Sequence, residues 1–344
     1  MNNPTHNAAC LDTSRHGAVS YNGIDLVKFL LSLFVCAIHI SPFTSTSCEI
    51  FKYFNFGIRQ YLARLAVPFF FVCSGFFLFR KTNHAENKSD IVKKYCFKLM
   101  GLLGVWHILL MNSSTVHLWY IGATIVAIAI IWQLQRFNLK PQHLAFIAGG
   151  LYAIGLFGDS YYGLAKNILQ TRPFNYLELT YSFFYSTTRN GLFMGFLFVL
   201  LGAFFACGKI RIKKAHALAG FFISMLLLLM EVFLLQYKSI PKDYNMYIFL
   251  VPAVTFFFAF IIQIKLKDRP IYKKLRIAGV LIYCMHMLVY KLLRFGALYV
   301  LKTTDATFTS YAFWITLPTT IGLAFAIEYL SHKKHFTWLR WLYS

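Results

Sequence analysis

A chain of 344 residues with 58% hydrophobic and only 13% charged side chains falls outside the composition of soluble domains. Its formal charge of +22 would point to nucleic acid in a soluble protein. Here the basic residues sit in short clusters between apolar runs, which excludes nucleic acid and makes them topology information. Seven cysteines without paired spacing give no disulfide or metal framework, and no phosphate loop, dinucleotide fingerprint or HExxH is present.

Residues 1–22 are polar and mixed, and their charges do not directly precede an apolar run, so they read as a flexible cytoplasmic leader and not a signal peptide. From there the apolar segments predict an all-α, polytopic membrane bundle of about ten helices. They fall at 24–43, 61–79, 97–112, 118–135, 143–158, 190–208, 216–236, 246–264, 278–298 and 311–330. The third and fifth are short for a span. Residues 23–330 form the membrane domain, and 331–344 a basic cytoplasmic tail.

Charge sets the orientation. The connections 80–98, 135–142, 209–214 and 265–276, together with the tail, hold 21 Lys and Arg, against 11 on the opposite side. The positive-inside rule therefore puts both termini in the cytoplasm of a cell-membrane protein.

The first segment is entered by Asp25 and Lys28 and left through His39. As a helix, the step from Lys28 to His39 covers roughly 16 Å, so the two groups lie at different depths. An ionisable residue at such depth is a functional-site candidate, with Lys28 snorkelling to a headgroup layer as the plainer alternative. Glu49 lies in the first external connection. Arg64 follows one turn into the second segment, ahead of Pro68, which is placed to kink it, and of Ser74-Gly75, which permits close helix approach. His107 and His117 flank the Asn112-Ser113-Ser114 turn and are ten apart, which is not a helical ligand spacing. The connection 159–189 reads as a lid, an acceptor surface or a plain loop, and ends at Arg189-Asn190-Gly191. In the ninth segment His286, Tyr290 and Arg294 share one face. Glu231 and Glu328 are candidate counter-charges for it, with interface placement as their simpler explanation.

Several motifs in order resemble the membrane acyltransferases of the acyltransferase-3 type. They are Gly23-Ile24-Asp25-Leu26-Val27-Lys28 with His39, Arg64-Leu65-Ala66-Val67-Pro68-Phe69-Phe70-Phe71, and Ser74-Gly75-Phe76-Phe77. Leu118-Trp119-Tyr120, Arg189-Asn190-Gly191-Leu192-Phe193 and Ile282-Tyr283-Cys284-Met285-His286 complete the series. Lys28 stands where the family typically has Arg. The first and the Arg189 motifs are especially similar to the membrane domain of VanT-type serine racemases, which add a racemase domain after it; this sequence stops at Ser344, so any such domain is absent or has been cut away.

The resemblance implies transfer of an acyl group, often acetyl, from a cytoplasmic thioester to a saccharide or other hydroxyl acceptor. His39 is then general base or acyl relay. Arg64 and Arg189 would hold an acidic acceptor or stabilise an oxyanion, and Lys28 would meet donor phosphates. Asp25, Glu49, Ser74, Trp119, Tyr120, Asn190, Tyr283 and His286 are expected along the cavity, His286 and Tyr283 with packing as an equal alternative. No tightly bound cofactor is implied; acetyl-CoA or another acyl-CoA is the donor substrate. The partners are the lipid bilayer, the donor and the hydroxylated acceptor, with self-association left open. The serine-racemase likeness implies a second activity, transport of serine or another small amino acid.

Overall fold

The computed structural model describes residues 21–44, 48–83, 85–110, 115–137, 139–169, 171–184 and 187–344. The leader over 1–20, the Asn112-Ser113-Ser114 turn and Tyr185 lie outside the described residues. Among those described there are helices and no strand. The first four are α1 (Asn22–His39), α2 (Glu49–Gln60), α3 (Ala66–Asn83) and α4 (Lys88–Leu109). Then come α5 (Trp119–Gln135), α6 (Pro141–Phe157), α7 (Tyr162–Leu169), α8 (Thr171–Ser182) and α9 (Phe196–Ala206). The last are α10 (Lys214–Tyr237), α11 (Leu250–Ile261), α12 (Pro270–Phe295) and α13 (Asp305–Ser331).

Among the described residues five helices are long and apolar enough to cross a membrane: α1, the Glu49–Asn83 stretch, α10, the Pro270–Val300 stretch and α13. A sixth arises if α6 and α7, bent by 85° at their junction, form one broken span. Three further apolar helices, Trp119–Gln135, Gly191–Ala206 and Leu250–Ile261, are shorter. All ten predicted segments thus fall on helices, but α4 is not apolar enough to qualify. It carries exposed Lys88, Lys93, Lys94 and Lys98.

The side chains sort as a bilayer requires. Phe69, Phe71, Phe76, Phe196, Phe198 and Phe258 are fully or nearly fully buried between helices, while α10 turns Phe222, Ile223, Leu226, Met230 and Leu234 outward. In water that exposure would be costly; against lipid tails it is neutral. Asparagine and acid groups fix the ends. Asn22 donates to Asp268 at 3.2 Å, and Asp25 takes a two-pronged bond from Arg276 at 2.9 and 2.8 Å, which joins the starts of α1 and α12. At the opposite end Trp314 donates to the Pro42 carbonyl at 3.0 Å and Thr44 to that of Thr309 at 2.7 Å. α1 and α12 therefore run parallel, and α13 runs antiparallel to both.

Three expectations change. Pro68 does not kink a span: it is the third residue of α3, within the first turn, where its missing N–H has no intrahelical partner to lose. The 159–189 connection is no open loop but carries α7 and α8. The basic end is no loose tail: 334–342 forms a helical turn that returns to α4, where the Trp106 indole donates to the Leu342 carbonyl at 2.9 Å.

The closest helix contact is between α3 and α9. A Cβ on Gly75 would overlap the Val199 backbone, and one on Gly202 the Val72 carbonyl and the Phe76 amide. Both partners are backbone and cannot rotate away. Gly202→Ala should destabilise the bundle by about 1–3 kcal/mol, read as a lower melting temperature in detergent. An unchanged value would mean α3 and α9 do not touch there.

Candidate functional site

One cleft gathers residues from across the sequence: His39, Arg64, His117, Trp119, Arg189, Asn245 and Tyr283. Its apolar walls include Val35, Ile38, Val67 and Pro68.

Apart from Tyr283, which lies inside α12, each polar group comes from a helix end or the turn beside one. His39 is the last residue of α1, held beside Arg59, which donates to the Ile38 carbonyl at 3.2 and 3.0 Å. Arg64 lies in a tight turn, Leu62–Leu65, that precedes α3. His117 belongs to a similar turn, Thr115–Leu118, ahead of α5, and Trp119 opens α5 itself. Arg189 precedes a widened turn, Gly191–Gly195, that leads into α9. Asn245 comes from the non-helical stretch between α10 and α11.

At one end of the cleft stand three imidazoles. The His39 ring lies 5.3 Å from His286 and 6.0 Å from His117, and those two are 4.9 Å apart, all between centroids. His286 is wholly buried; its Nδ1 lies 3.0 Å from the Ile282 carbonyl and 2.9 Å from that of Tyr283. Two carbonyl acceptors require the proton on Nδ1. Nε2 is then a bare lone pair, buried without a hydrogen-bond partner. His117 Nε2 lies 3.0 Å from the Cys284 carbonyl, and the Tyr283 hydroxyl donates to the His117 carbonyl.

At the other end two guanidiniums share one amide. Asn245 Oδ1 accepts from Arg64 Nη1 at 2.6 Å and Arg189 Nη1 at 3.4 Å. Arg64 Nη2 donates to Gln60 Oε1, and Arg189 lies 5.1 Å over the Trp119 ring. The Nε atoms of both arginines are buried and unpartnered. Behind Asn245 stands Asp159, 1% exposed, accepting from the Asn245 side chain at 2.9 Å and from the Asn245 and Met246 amides at 2.7 and 3.0 Å.

Of the residues singled out in the sequence, His39, Arg64, Arg189, Trp119 and Tyr283 line this cleft, and His286 stands behind His39. The others lie elsewhere, each for a visible reason. Asp25 is committed to Arg276, and Glu49 pairs with Lys52 at 2.6 Å on the exposed side of α2. Ser74 and Tyr120 bond each other at 2.8 Å and both reach the Phe70 carbonyl, tying α3 to α5. Asn190 caps the Gly191–Gly195 turn through the Leu192 and Phe193 amides at 2.9 and 3.1 Å. Lys28 is half-buried on α1 beside Cys73, away from the cleft. The expected counter-charges do not face His286: Glu231 accepts from Tyr161 and the Ile248 and Phe249 amides, and Glu328 pairs with His332. Arg294, on the same predicted face as His286, pairs with Asp305 at the surface. His117, Asn245 and Asp159 carried no functional assignment in the sequence. Among the described residues no cluster of His, Cys, Asp and Glu has metal-holding geometry.

Fold and cleft together define a multi-pass helical membrane protein with a polar, ionisable cavity. Residues 21–106, which include His39 and Arg64, match the acyltransferase domain family of the acyltransferase-3 type. The chain is also similar to an amino-acid racemase of Enterococcus faecalis, 33% identical over 73% of this chain and 37% of that protein. A second amino-acid racemase of the same organism is 28% identical over 78% and 41%. The serine/alanine racemase of Enterococcus gallinarum is 30% identical over 68% and 36%. The chain thus spans about two-fifths of the length of the curated relatives it matches. The resemblance carried by the motif series, acyltransferase-3 with VanT-type racemases, is borne out. No solved structure matches the chain.

Proposed function

We propose that the protein is a membrane acyltransferase that moves an acyl group from a cytoplasmic thioester, acetyl-CoA being the simplest donor, to a hydroxyl of a small acceptor in the His39 cleft. The observation that carries this reading is the meeting of His39, Arg64 and Arg189 in one cavity, two of them inside the acyltransferase-domain match. His39 removes the acceptor's hydroxyl proton as that oxygen attacks the thioester carbonyl. The C–O bond forms, the C–S bond breaks, and the proton passes to the departing thiolate. An arginine at the cleft meets the oxyanion of the tetrahedral intermediate. Lys28, on the same helix as His39 and on the cytoplasmic side in the charge-based orientation, meets phosphates of the donor.

A second reading rests on the relatives' names. Proteins called amino-acid and serine/alanine racemases match this chain over most of its length, which favours passage of serine or a similar amino acid through the same cleft. The purified chain in liposomes, given labelled serine outside and, separately, labelled acetyl-CoA, distinguishes the two. Donor turnover with transfer of label to an acceptor is the expected result. Saturable serine entry without thioester cleavage would replace acyl transfer by transport.

A further inference from the structure

The arginine end of the cleft is incomplete as it stands. Among the described residues Arg64 donates to Asn245 and Gln60 and Arg189 to Asn245, all neutral acceptors. Their Nε–H groups are buried and unpaired. A charged donor shut away from water without a partner is among the more costly arrangements in a protein. Asp159 would be the natural counter-ion, but its carboxylate is occupied by Asn245 and Met246.

Geometry narrows the class of ligand. Trp119 beneath Arg189 fixes the plane of that guanidinium, and planar N–H forks match the planar carboxylate. The Asn245 amide cannot turn: its nitrogen is held by Asp159, so its oxygen faces both arginines and keeps them side by side. The imidazole end lines the same cleft. We infer that Arg64, Asn245 and Arg189 bind the single carboxylate of a small hydroxylated acid, whose hydroxyl then reaches the His39 end. This rests on the reading of the cleft as the acceptor site.

Binding is separable from transfer. The full chain in detergent is melted with L-lactate, with the neutral analogue lactamide and with inorganic phosphate, all at equal ionic strength. Lactate should raise the melting temperature in proportion to the logarithm of its concentration, and lactamide should not. Arg64→Gln and Arg189→Gln should lose the rise. Gln60→Glu, a near-isosteric change that gives Arg64 a built-in carboxylate, should lose it while the protein stays folded. His39→Ala should keep it, so that a failure of the acyl-transfer reading leaves this one standing. No rise with lactate, an equal rise with lactamide, a rise with phosphate alone, or a lactate rise that survives in Gln60→Glu would each overturn the carboxylate site.

Discussion

Replacing His39 by Ala should leave a folded, membrane-inserted protein that turns over donor about 100- to 10,000-fold more slowly, the usual contribution of a positioned general base. The side chain closes α1 at its last residue, so no helix is broken by its loss. Its ring faces His117 and His286 and lines the cleft, so truncation widens a polar space instead of opening a hole in the packed core. His286→Ala discriminates further. The His286 ring packs 5.3 Å from the His39 ring, close enough to fix the orientation of His39. Replacement of His286 should slow turnover by about tenfold or more with the yield of folded protein unchanged. If yield and turnover fall in parallel, His286 is a packing residue and its Nδ1 bonds to its own helix are its whole purpose. Undiminished turnover in His39→Ala would remove the base from the mechanism.

The parts of this site that were legible in the sequence are those where an ionisable residue interrupts an apolar run. His39, Arg64 and Arg189 announce themselves because a bilayer tolerates such residues only where a cavity or partner receives them. The helices were legible for the same reason, as length and apolarity decide them. What periodicity does not reveal is where a helix stops short. Arg64 reads as a residue one turn inside a span, yet a tight turn at 62–65 places it at the cleft. His117 sits ten residues from His107 and looks like one side of an external turn. Only the turn before α5 carries it to His286. Asn245 and Asp159 are ordinary polar residues of external connections in the sequence, and their function is a tertiary hydrogen bond between segments 86 residues apart. Ser74, Tyr120 and Asn190 show the converse. Their residue types and motif positions suit a cavity, but local bonds to helix carbonyls and amides consume them. A hydrogen-bonding side chain in an apolar helix is as often a fastener as a ligand group.

Asp159→Ala should be among the most destabilising single substitutions in the chain, at about 3–5 kcal/mol, because it strips the partner from a buried polar network. The carboxylate takes the Asn245 and Met246 amides and the Asn245 side chain, while its own carbonyl accepts from the Lys242 amide at 3.1 Å. These bonds hold a non-helical stretch whose backbone has no helix to satisfy it. Next to them Ser160 donates to the Met246 carbonyl, and the Tyr152 hydroxyl donates to that of Tyr247 at 2.8 Å. Removing Asp159 orphans two backbone amides at roughly 1–3 kcal/mol each, and it releases the Asn245 amide that spaces Arg64 from Arg189. Asp159→Asn separates the two consequences. It is isosteric and keeps one acceptor oxygen for the backbone, but its amide group meets the Asn245 amide donor to donor. Its melting temperature should fall less than that of Asp159→Ala, while lactate binding drops about as far as in Arg64→Gln, because Asn245 is free to flip and present its nitrogen to the arginines. Equal loss of stability in both variants would make Asp159 a fold determinant alone. Full lactate binding in Asp159→Asn would show that the arginines hold their spacing without it.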